Sequence, residues 1–115
     1  AEFKRKRAEL AARGVTVIVN SPSLERWILL HYEDSKKYYS AQKPIIDRIR
    51  KQYLKSYEKS ERYFKRKDSS LYQDLRPKLA DALNRSKAMP AFDPDLPERA
   101  ACEMWKLFHI LNIKV

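Results

Sequence analysis

Val15-Thr16-Val17-Ile18-Val19, followed at once by Asn20-Ser21-Pro22-Ser23-Leu24-Glu25-Arg26-Trp27-Ile28-Leu29-Leu30-His31, is the stretch that decides the fold. Its first five residues are all β-branched, which reads as a strand buried on both faces. Ser21 then supplies an N-cap and Pro22 a first helical position, opening a helix that runs to about Tyr32. Leu24, Trp27, Ile28 and His31 fall on one face of it, and Leu29 and Leu30 widen the apolar surface. Such a helix is expected to be largely buried. Upstream, residues 2 to 13 are rich in Ala, Lys, Arg, Glu and Leu and favour helix, and Gly14 sits where a helix stops.

Only one strand reads clearly, so the expected fold class is mainly α with one β-strand. A lone strand leaves backbone donors and acceptors unpaired, which a folded interior does not tolerate. Helix, strand and helix therefore read as the closing unit of an α/β domain over residues 1–33, followed by a helical extension over 34–115 packed with it as one globular unit. The missing strands would come from upstream sequence or from another copy, giving a homo-oligomer through the strand. The absence of an initiator Met and the helical first residues fit a piece of a longer polypeptide.

Beyond the acidic break at Glu33-Asp34, a basic helix is expected from about Pro44 into the fifties or sixties. Another begins near Ser70, is interrupted at Pro77 and continues through Leu79, Ala82 and Leu83 to about Met89. Pro90, Pro94 and Pro97 mark a loop. Asp95 with Glu98 three residues on resembles a capping box, and a last helix would place Ala101, Met104, Phe108 and Leu111 on one face.

Composition excludes several function classes. The single glycine, Gly14, leaves none for a P-loop or a dinucleotide fingerprint, both of which need several. No apolar run approaches the ~18 residues of a membrane span, and no signal peptide is visible. The lone cysteine, Cys102, has no internal disulfide partner and reads as a small buried residue, which fits a reducing compartment and a cytoplasmic location.

Net charge is +10 over 115 residues, and residues 36 to 67 hold twelve Lys or Arg against three acids. That asymmetry points to a polyanionic partner, nucleic acid first among them. On a helical wheel at ~100° per residue, Ile46, Ile49, Tyr53, Tyr57 and Phe64 share one face. Arg48, Lys51, Lys55, Lys59, Arg62 and Arg66 share the opposite one, provided the helix is continuous. The Tyr stripe then reads as core and the basic stripe as a nucleic-acid-binding surface. Lys4-Arg5-Lys6-Arg7 reads as a solvated helix face.

The stretch from Asn20 to Tyr32 resembles a feature of RloB-like proteins, bacterial proteins linked to restriction and abortive-infection phage-defence loci. Pro22, Glu25, Trp27 and His31 match that pattern, whereas Leu24 replaces an aromatic and Asn20-Ser21 inverts the usual Ser-Asn. Tyr57-Glu58-Lys59 resembles the family's Tyr-x-Lys, Leu71-Tyr72 with Leu75 its next apolar pair, and Ala82-Leu83-Asn84-Arg85-Ser86-Lys87 its Ala-rich helix. The resemblance implies a Toprim-like domain, of which Val15 to Val19 would be the last strand. In that module a Glu and an Asp-x-Asp hold Mg²⁺ for phosphodiester chemistry, and both would lie upstream of Phe3. It further implies a metal-dependent nuclease when complete, using Mg²⁺ or Mn²⁺, and an ATPase-type partner protein often encoded beside RloB relatives. A non-enzymatic basic helical module, binding nucleic acid or an acidic protein, is the alternative.

Within the chain, Glu25 and His31 are the candidate catalytic residues. Glu25 also suits the positive end of its helix dipole, and His31 also suits a hydrogen-bonded core position. No metal ligands are expected. Asp93-Pro94-Asp95 is spelled as Asp-x-Asp, but no strand precedes it, and a metal site wants carboxylates fixed on a rigid element. Incubation with plasmid and single-stranded DNA in Mg²⁺ or Mn²⁺ should therefore leave both intact. Cleavage abolished by changing Glu25, Asp93 or Asp95 would instead place a catalytic centre within this chain.

Overall fold

Gly14 ends the first helix by taking a left-handed conformation, with φ of 81°. In this computed structural model, which describes residues 2–65, 70–96 and 98–114, helix α1 spans Glu2–Ala12. The amides of Val15 and Gly14 return to the carbonyls of Leu10 and Ala11 at 2.9 and 3.0 Å, a closing pattern that needs a positive φ at the residue after the helix. Asn112, with φ of 54°, closes the last helix in the same manner.

Residues Val15 to Val19 do not form the expected strand. They run without regular pairing, with Val15 exposed, and the ladder begins only at β1 (Asn20–Ser21). β1 pairs antiparallel with β2 (Ala101–Cys102), Asn20 opposite Cys102 and Ser21 opposite Ala101. The polar groups of the extended stretch find other partners. Arg7 donates to the Val17 carbonyl at 2.7 Å, and the Val19 amide and carbonyl both bond Glu103, through its side chain and its backbone. Side chains thus replace part of the sheet that β-propensity alone would call for. The chain is mainly helical with a small two-stranded sheet.

Because Asn20 and Ser21 belong to the ladder, Ser21 is not a helix cap, and α2 starts three residues beyond Pro22, at Glu25–Leu30. All six of its residues are buried. On one side Trp27 and Leu30 pack with Ala82, Leu83, Met89, Ala100 and Cys102; on the other Ile28 and Leu29 pack with Ile45, Ile49, Tyr57 and Tyr63. The short helix is therefore a shared wall between two halves of the core.

Helix α3 covers Gln42–Gln52 and so ends early in the fifties, short of the continuous run to Arg66 that the helical wheel assumes. Residues 53–60 turn back, and Ser60 caps the short α4 (Glu61–Phe64), its hydroxyl accepting from the Tyr63 amide at 3.3 Å. Ser70 opens α5 (Leu71–Leu75) with a capping box to Gln73. At Pro77 a 3₁₀ turn (Arg76–Lys78) joins α5 to α6 (Leu79–Ala88), as the sequence implies. No helix starts at Asp95, whose carboxylate turns to Lys4 at 2.9 Å. The last helix, α7, begins at Trp105 and runs to Ile110, so Ala101 lies in β2 and Leu111 is exposed, while Met104 and Phe108 pack on the core.

Two buried charges tie these pieces together. The Arg26 guanidinium is fully buried and donates to the carbonyls of Ser21, Ser35 and Lys37, pinning the loop after α2 against β1. The Glu103 carboxylate accepts from Arg7 and from the amides of Val19 and Phe92, both at 3.1 Å. Burial alone would raise the Glu103 pKa, but Arg7 and the two amides outweigh it and hold it below the usual carboxylate range. The folded state thus prefers the ionised form. Its stabilisation is complete above the ordinary Glu range and is lost as pH falls through the depressed value. Glu103→Gln should cost about 3 kcal/mol at neutral pH and flatten the fall in stability as pH drops below the ordinary Glu range. Urea melts across that range check both.

Candidate nucleic-acid interface

Glu25 stands at the start of α2 with no exposed surface, and a buried carboxylate needs a cation or several donors. Lys59 supplies the cation, its Nζ lying 3.1 Å from Oε1, and the Ser23 hydroxyl donates to Oε2 at 3.1 Å. Tyr57, buried, stands beside the same carboxylate. Burial first, and then the neighbouring Glu25 charge, pushes its phenol up to about 12, so it remains protonated. Lys59 also reaches the Gln42 side chain at 3.3 Å, joining the start of α3 to the cluster. Glu25 is thus an interior anchor for the segment after α3.

His31 has the core role. Its Nδ1–H donates to the Trp27 carbonyl at 2.9 Å and its ring meets the Trp27 indole edge-on at 4.7 Å. Burial lowers its pKa, favouring the neutral ring. It lines an apolar groove of about 340 Å³ with Leu24, Trp27, Leu75 and Phe108 and faces no carboxylate there. Cys102 is buried, and burial pushes its thiol up, away from a nucleophile's range.

Asp93, Asp95 and Glu25 do not converge on one point. Asp93 and Asp95 face Lys4 at 4.0 and 2.9 Å, and Glu25 lies behind Lys59. Among the described residues no group of three or more His, Cys, Asp or Glu side chains converges.

The six basic candidates are not one straight line, because α3 ends at Gln52. Arg48 pairs with Glu33 at 2.8 Å, Lys59 with Glu25, and Arg62 with Glu58 at 2.8 Å. Arg66 lies outside the described residues. Lys51 and Lys55 are exposed, and among the described residues no carboxylate lies within ion-pair distance of either. Of the apolar stripe, Ile49 and Tyr57 are buried, Tyr53 is half-buried against Tyr32, and Phe64 is exposed. Tyr57 and Tyr63 meet edge-to-face at 5.1 Å inside the core, as packing and not as a stacking platform.

Sequence reasoning did not single out Arg26 or Glu103. Glu103 is a lone charge within the apolar run Ala100 to Trp105, and that interruption was the available signal, whereas Arg26 follows Glu25 directly and carried none.

A family model described as RloB-like protein matches residues 1–111. No curated protein and no solved structure matches the chain. Two of the stretches on which the resemblance rests, those holding Glu25 and Tyr57-Glu58-Lys59, meet in space at the buried carboxylate. Lys59→Met should therefore destabilise the chain by about 2 kcal/mol, a value discounted from a fully buried pair because Lys59 is half exposed. Glu25→Gln combined with Lys59→Met should cost less than the two single changes added together, and a thermodynamic cycle from urea melts measures that coupling. Strict additivity would mean that the two residues do not interact.

Proposed function

Since the chain belongs to the RloB-like protein family, we propose that it is the nucleic-acid-gripping part of a phage-defence protein that acts, when complete, as a metal-dependent nuclease. On this reading the chain grips phosphates, and Mg²⁺ or Mn²⁺ is held by residues it does not contribute. The observation that carries the proposal is the excess of positive charge across α3 and the segments that flank it. Residues 36 to 67 hold twelve cations against three acids, and Lys51 and Lys55 stand exposed with no carboxylate partner among the described residues. Solvated helix faces ordinarily mix signs, whereas a basic excess of this kind attracts a polyanion and tolerates any base sequence.

Arg48, Lys59 and Arg62 play a different part from Lys51 and Lys55 in this proposal. Their carboxylate partners would have to be exchanged for phosphate, so they add less to binding than a helical wheel suggests. Ile49 and Tyr57, on the other side of the same segment, pack in the core.

Binding to duplex DNA should be independent of sequence and should weaken with salt, log K falling by about 0.9 per phosphate contacted for each tenfold rise in salt. Lys51→Ala with Lys55→Ala should weaken binding and make that slope shallower by about 2. Fluorescence anisotropy at several salt concentrations reads both. Equal affinity and an equal slope in the double variant would reduce the surface to a solubilising one. Binding to polyglutamate but not to DNA would favour an acidic protein partner.

A further inference from the structure

The turn between α3 and α4 borders an open concavity of about 470 Å³ whose lining holds Arg50, Lys55 and Arg62 and, among the described residues, a single acid, Glu58. Arg50 uses its Nε on the Tyr57 carbonyl at 2.5 Å, which fixes the guanidinium at the rim. Arg62 points its Nε and one terminal nitrogen at the same Glu58 oxygen, at 3.0 and 2.8 Å. That fork suits a phosphate as well as a carboxylate, because both present acceptor oxygens to a planar guanidinium. Lys55 adds a cation with no acid of its own among the described residues.

The wall behind these groups is packed into the core. Tyr57 and Tyr63 line it, both buried, and Tyr57 is backed by the Glu25 and Lys59 pair. Three cations with one carboxylate leave the concavity net positive, and its size exceeds that of one phosphate group.

We propose that this concavity is a phosphate-binding pocket for nucleic acid, and that Glu58 gates it by holding Arg62 until a phosphate takes its place. The proposal rests on the nucleic-acid reading above and assigns one phosphate to particular side chains. The phosphate belongs either to the backbone of a strand or to its 5′ end. In either case Glu58 competes with the ligand, so its removal strengthens binding while removal of the cations weakens it. A simple basic surface would share the second property but would lack a pocket that saturates.

Inorganic phosphate, titrated into the chain while the side-chain Nε–H signals of Arg50 and Arg62 are followed by NMR, tests the pocket without nucleic acid. Both signals should shift and saturate together. Glu58→Gln should tighten phosphate binding about threefold, and Arg62→Ala should weaken it about tenfold. Arg62 has its side chain largely in solvent, so its loss leaves the fold intact. Equal-length oligonucleotides with a 5′ phosphate or a 5′ hydroxyl identify the source: tighter binding of the first assigns the strand end, and equal binding assigns the backbone. Silent arginine signals, or no gain in Glu58→Gln, overturn the proposal even if DNA binds elsewhere. Saturable phosphate binding without DNA binding would keep the pocket and remove the nucleic-acid reading.

Discussion

The carboxylate of Glu25 is buried at the head of the most enclosed helix in the molecule, and its charge has to be met from within. The segment after α3 meets it. Lys59 brings the ammonium group, Tyr57 comes to lie against the same carboxylate, and the chain can do this only by leaving helical geometry after Gln52. The turn that results is what gathers Arg50, Lys55 and Arg62 around one concavity. An uninterrupted helix would have carried the same cations along a line instead. The electrostatic requirement of one interior residue therefore shapes the surface on which the proposed function depends.

Arg26, next to Glu25 in the chain, solves the opposite problem with neutral partners. Its guanidinium is satisfied by three backbone carbonyls and lies over the Tyr39 ring at 5.4 Å. Burial lowers its pKa, yet arginine remains protonated even when so displaced, which makes it suited to a position where lysine would lose its charge. Glu103 performs the corresponding task at the far side of the sheet, joining α1, the extended stretch before β1 and the loop at Phe92. Between these staples the apolar core is divided by α2 into two modest halves.

Much of this was legible in local sequence. Gly14 as a helix stop, a helix starting near Ser70, the break at Pro77 and the burial of Trp27 to His31 each follow from short-range chemistry, and the structure holds all four. The misplaced strand and the over-long helix have a common cause. Val15 to Val19 have strand propensity but no ladder partner among the described residues, and residues 53 to 60 follow a helical wheel but are turned by a contact with Glu25. Propensity and periodicity yield to tertiary partners that are remote in the chain. The candidate site was legible in its composition, as a concentration of cations, but not in its shape. Its shape depends on which cations are consumed by acids: Glu58 and Arg62 stand at i,i+4 spacing, but Arg48 and Lys59 gave no local sign of their remote partners.

The claim that Glu25 holds the turn after α3 is tested most directly by amide hydrogen exchange in the Glu25→Gln chain. Loss of the anchoring charge should speed exchange at the amides of residues 54–60 by about tenfold or more, while α6 and β2 keep their protection. Unchanged exchange in that segment, or a uniform rise across the chain, would contradict the account.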